Sequence, residues 1–154
     1  MPKSDQFMIE EAQVIFRNFE GKEGQYNQNG DRNFAVIIPD EKTAQKMLKD
    51  RWNIKYLEAR EEGEPNTPYI QVAVNFKQRP PHIVMLTSRA RTILVEDTVA
   101  VLDFAEIEKV DLICRGYEWN VNGKAGVKAY LKSLFVTVEE DELERKYSEI
   151  NESQ

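Results

Sequence analysis

The chain has 154 residues, of which 41% are apolar and 31% charged, a balance that allows one globular domain with a small appendage and excludes a wholly disordered chain. Its formal net charge is −6 at pH 7. No run of about 18 apolar residues offers a membrane span, and one cysteine (Cys114) with one histidine (His82) leaves no intramolecular disulfide framework, zinc site or Ser/His triad.

The N-terminus opens Met1-Pro-Lys-Ser-Asp-Gln without the apolar stretch of a secretory signal, and with the lone cysteine this predicts a cytoplasmic protein. Short apolar segments broken by turn residues predict a mainly β domain. Residues 12–19 (AQVIFRNF) read as a first strand, 20–31 as a Gly- and Asn-rich loop, and 32–38 as a second strand. A short helix is expected over 40–49, with Asp40 as its N-cap and Ala44, Met47 and Leu48 as its inward stripe. Residues 52–57 read as a third strand in which Trp52, Ile54 and Tyr56 share a core-facing parity, and 59–68 as a charged loop.

The clearest alternation lies over 69–77. Ile70, Val72, Val74 and Phe76 point inward there, while Tyr69, Gln71, Ala73, Asn75 and Lys77 point outward. Pro80-Pro81 ends this strand, a short one follows over 83–86, and 96–103 reads as a connecting helical turn. The last unit is a hairpin. Residues 107–119 run out, Asn122-Gly123 supplies a turn that tolerates positive φ, and 127–138 run back.

Charge is unevenly spread. Residues 139–154 hold seven acidic and two basic side chains, whereas 1–138 hold 19 basic against 20 acidic. Nothing from 65 to 95 is acidic, while Lys77, Arg79, Arg89 and Arg91 are basic. A nearly neutral body with an acidic tail can still offer a polyanion a positive stripe.

The hairpin carries the strongest chemical signal. Parity alone splits each arm into two faces. Leu112, Cys114 and Gly116 on one arm, with Val127, Ala129, Leu131, Ser133 and Phe135 on the other, form an apolar or small face, and Phe34, Phe76 and Phe135 are assigned to the core. The opposite face carries Arg115, Tyr117 and Trp119 facing Lys128, Tyr130 and Lys132, and a simple Asn-Gly turn sets Arg115 across from Tyr130 and Tyr117 across from Lys128. Single-stranded nucleic acid asks for this alternation of rings and cations: bases stack on rings at roughly 1–3 kcal/mol each while cations follow the phosphates. Cross-strand aromatic pairs that only stabilise the sheet are the competing explanation, worth roughly 0.2–1 kcal/mol each. Secondary candidates are Arg17 and Phe19 on the first strand, Lys22, Tyr26 and Arg32 around the loop, and Lys77 and Arg79 beyond the alternating strand.

With those residues in view, the chain resembles the single-stranded DNA-binding proteins of bacteriophages and prophages. The similar stretches are IFRNFEG (15–21), YNQNGDRNFAVII (26–38), WNIKY (52–56), YIQVAVNF (69–76), PPHI (80–83) and 110–138, spread in order through nearly the whole body. The resemblance implies an OB-fold-like five-stranded β-barrel with one short helix, an extra hairpin and strands, and an acidic C-terminal tail. Residues 1–138 are then the DNA-binding domain and 139–154 the tail. It further implies a cofactor-free, non-enzymatic role in phage DNA replication, recombination or repair, coating exposed strands and recruiting other proteins, with a homodimer left open. Functionally similar bacterial proteins end their tails in an apolar residue, whereas this chain ends Asn-Glu-Ser-Gln, so docking through a terminal phenylalanine is not implied.

Within the tail, Leu143, Tyr147 and Ile150 recur at helical spacing, a candidate partner-binding stripe. Two other functions compete. One is a protein-interaction module of the same fold. The other is a metal-dependent nuclease built on Asp103, Glu106, Glu108 and Asp111, whose mixed spacing defines no ligand set.

Overall fold

A computed structural model describes residues 6–24, 30–77, 79–88 and 90–139. Tyr26 and the tail residues Leu143, Tyr147 and Ile150 lie outside the described residues.

The elements in order are β1 (Gln6–Ala12), β2 (Val14–Asn18), β3 (Arg32–Ile37), α1 (Glu41–Lys49), β4 (Ile54–Leu57), β5 (Thr67–Val74), β6 (His82–Leu86), β7 (Arg91–Leu94), a 3₁₀ turn (Val99–Asp103), β8 (Ile107–Val121) and β9 (Lys124–Val138). The sheet runs β1-β8-β9-β5-β3-β2. Only Gln13 separates β1 from β2, so the two ends of that path are halves of one covalent segment and the sheet curls back on itself. The N-terminal segment, β3, β5, β9 and β8 thus make an OB-type circuit, a partly open barrel. β4 adds to β5, and the β6–β7 ribbon adds to β9. Pairing is antiparallel except where β9 meets β5 and β6.

Burial follows the alternation that defines the strands. Ile70, Val72 and Val74 of β5, Phe34 and Val36 of β3, and Leu112 and Cys114 of β8 are buried in one core. Burial in that core pushes the Cys114 thiol up, so it stays protonated. Asp40 caps α1 by accepting from the Thr43 N–H at 2.7 Å. That bond to the anionic form lowers the Asp40 carboxyl below its usual value. The hairpin turn places Asn122 and Gly123 at φ 52° and 80°, as the Asn-Gly pair requires.

Several expectations are corrected. The first strand is two strands, and β1 begins well before residue 12. Its sequence, QFMIEEA, hides this because the pairing shifts between Ile9 and Ala12 and Glu11 takes φ 52°, which breaks the period of two. β7 lies in a stretch, 87–95, to which the sequence assigned no element. Leu48 is exposed, so only Ala44 and Met47 face inward from α1. Trp52 is buried, but Tyr56 turns outward and donates its hydroxyl to Glu41 Oε1 at 2.9 Å. Phe76 is only partly buried against the core.

Phe135 is the most instructive correction. Cys114 pairs with Leu131 and Ile113 with Ser133, so Lys132 is a one-residue bulge in β9. An inserted residue flips every side chain beyond it to the other face. Leu134 and Val136 therefore take the core positions, and Phe135 moves to the other face, edge-on to His82 and 5.6 Å below the Arg91 guanidinium. The bulge lies where β9 leaves β5 and picks up β6.

Candidate nucleic-acid interface

The hairpin register is the one a simple Asn-Gly turn gives: Arg115 opposes Tyr130, and Tyr117 opposes Lys128. Tyr117 is 62% exposed and meets Tyr130 edge-to-face with ring centroids 6.2 Å apart. Lys128 Nζ lies 5.2 Å from the Tyr130 ring centre, a cation–π contact. Two glycines make this surface possible. At Gly116 a Cβ would fall 2.7 Å from Val127 Cγ1 and 2.8 Å from Trp52 Cη2, so only glycine lets the buried indole approach the back of the strand. At Gly126, opposite Trp119, a Cβ would meet Trp119 Cζ2 at 2.9 Å and Asn53 Oδ1 at 2.7 Å, so the Trp119 ring lies across the bare backbone toward Asn53.

Tyr130 lies between two adjoining clefts. One, of about 610 Å³, is lined by Arg79, Arg115, Tyr117, Tyr130 and Asn75 among others. The second, of about 440 Å³, continues from Tyr130 and Asn75 across β5 to β3. Its cations are Arg32, Lys55, Lys77 and Lys128, set against Asp31 and Glu96. Four amide side chains, Asn33, Asn53, Gln71 and Asn75, and the Phe76 ring complete it. The surface therefore offers rings for stacking, cations for phosphates and amides for base edges.

Among the described residues the bonding of Arg32 is incomplete. The guanidinium sits 5.7 Å from the Phe76 ring centre and reaches Glu96 Oε1 at 3.4 Å. Its Nε is buried and makes no hydrogen bond among the described residues. A buried donor left unmade costs roughly 1–3 kcal/mol, which a phosphate oxygen entering the cleft would recover.

The sequence candidates separate accordingly. Arg32, Lys77, Arg79, Arg115, Tyr117, Lys128 and Tyr130 line the two clefts. Trp119 is part-buried at the rim beside Asn53. Lys132, displaced by its bulge, is exposed and bonds Gln6 Oε1 at 3.3 Å. Phe19 is fully buried and stacked on Phe34 with centroids 5.0 Å apart, which leaves no face for a base. Arg17 is spent on structure, donating to the Leu102 and Ala105 carbonyls at 2.8 and 2.6 Å. Lys22 lies outside both clefts, near Phe104. Sequence reasoning missed the amides. Gln71 and Asn75 were legible as outward positions of an alternating strand, whereas Asn53 gave no such signal.

Two of the acidic quartet, Asp103 and Asp111, hold backbone N–H groups. Asp103 accepts the Phe19 and Glu20 N–H groups at 2.7 and 2.9 Å, and Asp111 accepts the Glu11 N–H at 2.8 Å. Among the described residues no group of three or more His, Cys, Asp or Glu side chains could hold a metal ion, and no helix is long and apolar enough to cross a membrane.

A family model described as a putative phage ssDNA-binding domain matches residues 2–154. The chain belongs to that family. No curated protein sequence matches it. Among solved structures this phage ssDNA-binding-domain chain is similar to the single-stranded DNA-binding protein of bacteriophage Enc34 in complex with ssDNA, at TM-score 0.56 and 10% identity, covering 89% of this chain and 88% of that one. A C-terminally truncated form of the Enc34 protein gives TM-score 0.54 at the same identity and coverage. The gp2.5 protein of bacteriophage T7 gives TM-score 0.46 at 12% identity, covering 91% of this chain and 89% of that one.

Proposed function

We propose that this chain binds single-stranded DNA along the two adjoining clefts, coating exposed strands during phage DNA replication, recombination or repair in the host cytoplasm, without strong sequence preference and without catalysis. One observation carries the reading: the hairpin register sets a ring and a cation opposite one another twice in succession, with Tyr117 exposed and Tyr130 half-buried, beside a cleft with four cations. Unstacked bases can lie on such rings, whereas duplex DNA hides its base faces. Family membership and the Enc34 complex support the same ligand class.

In this reading Arg115, Lys128, Arg32, Lys77 and Arg79 follow phosphates, while Tyr117, Tyr130 and Trp119 stack on bases. Residues 1–138 form the binding domain, and the acidic 139–154 segment competes for the clefts and engages replication or recombination proteins. The test is fluorescence anisotropy with a labelled oligothymidine. Tyr117→Ala and Tyr130→Ala each weaken binding roughly tenfold with unchanged melting temperature, and affinity falls as salt rises. Wild-type affinity in both variants, or equal affinity for duplex, overturns the proposal.

A further inference from the structure

Past the clefts, Gly21 joins Arg32 to a second cation–ring pair. Arg32 lies against Gly21, where a Cβ would fall 3.2 Å from Arg32 Cγ. The next residue, Lys22, carries its Nζ 5.9 Å from the Phe104 ring centre. Phe104 is 75% exposed, the highest value among the large hydrophobic side chains described.

A single exposed ring is ordinary on a protein surface. The backbone that carries this one is held on both sides. Residues on both sides of Phe104 are tied to the end of β2: Arg17 donates to the carbonyls of Leu102 and Ala105, and Asp103 accepts from the N–H groups of Phe19 and Glu20. The Phe104 N–H itself bonds the Val101 carbonyl at 3.1 Å. Lys22 is held from the same stretch, since Asn18 Oδ1 accepts its N–H at 2.9 Å and Asn18 Nδ2 donates to its carbonyl at 3.1 Å. Residues 17–20 therefore brace the backbone that carries both members of the pair. A backbone already held in place has little freedom left to lose when its side chains bind, which is where this ring differs from one on a loose segment.

We propose that Phe104 and Lys22 form an outlying subsite for the same strand, the ring stacking one nucleobase and the ammonium taking a neighbouring phosphate. The inference rests on the single-strand reading above and lengthens its footprint beyond the clefts. Glu20 Oε2, 3.5 Å from Lys22 Nζ, holds the ammonium near the ring until a phosphate replaces it. Ring and cation together match one nucleotide, and Arg32 against Gly21 makes the subsite continuous with the cleft.

The experiment uses the full chain and oligothymidines of two lengths, about four nucleotides to fill the clefts and about fifteen to reach past them. Phe104→Ala weakens binding of the long oligonucleotide about tenfold and leaves the short one unchanged. Phe104→Tyr, which keeps the ring, binds both as the wild type does. Lys22→Gln weakens only the long one, with a shallower salt dependence. A Phe104→Ala loss equal on both lengths, or no loss on either while Tyr130→Ala weakens both, overturns the subsite and leaves the cleft reading standing. If Tyr130→Ala also has no effect, both fall together.

Discussion

Arg17 with Phe19 and Arg115 with Tyr117 are the same chemical pair at the same spacing, a cation followed two residues later by a ring. The structure uses them in opposite ways. Phe19 is sealed against Phe34, and Arg17 closes two backbone carbonyls of the segment around the 3₁₀ turn. Tyr117 stands in solvent, and Arg115 lines an open cleft. The difference lies in the surroundings. Beyond a shifted pairing in β2, the chain meets carbonyls and carboxylates that need partners, while among the described residues β8 from Gly116 onward pairs only with its hairpin mate. Residue type nominates a site, and what lies across from the strand decides it.

Substitutions can break that contrast. The largest effect is expected from Phe19→Ala, which empties a fully buried position and destabilises the fold by about 3–5 kcal/mol in thermal or denaturant unfolding, with normal DNA affinity in whatever fraction stays folded. Affinity loss at unchanged stability would make Phe19 a binding residue after all. Next comes the pair of cations. Arg17→Ala should cost roughly 1–2 kcal/mol of stability through its two carbonyl bonds and leave the salt dependence of binding unaltered. Lys128→Ala should do the reverse, leaving stability unchanged and reducing the slope of log affinity against log salt by about 0.7. Exchange of those two outcomes would invert the assignment of the regions.

The smallest effect concerns Glu96, which holds Arg32 in the second cleft. Glu96→Gln frees that guanidinium for phosphate and should tighten oligonucleotide binding a few-fold at low salt. Unchanged or weaker binding would show that Arg32 meets no phosphate.

The same contrast explains what was legible in the sequence. The hairpin was readable down to its cross-strand pairs, because Asn-Gly fixes the turn and parity then fixes the register. β5 was readable because its alternation is unbroken over Ile70, Val72 and Val74. The helix was readable from Asp40 and its inward Ala44 and Met47. The failures share a cause, since a bulge leaves no mark in composition. Lys132 flips Phe135 out of the core, and the irregularities of the N-terminal segment at Glu11 and Phe16, with φ of 52° and 50°, conceal where β1 and β2 begin and end. The Phe19 expectation failed for the same reason, since parity counted from residue 12 ran through a segment that does not keep it. The amides of the second cleft come from two strands, β3 and β5, and from the segments just beyond β5 and just before β4, a juxtaposition that the pairing of the sheet creates.

Trp119 can report whether the outward face of β8 and β9 takes unstacked bases. Trp52 is buried and packed edge-on to Phe7, whereas Trp119 lies part-buried at the rim of the cleft. Titrating the chain with an unstructured oligothymidine at low salt should quench Trp119 fluorescence to saturation, with recovery as salt is added and no quench in Trp119→Phe. An unquenched signal at low salt, where binding is strongest, would contradict the account.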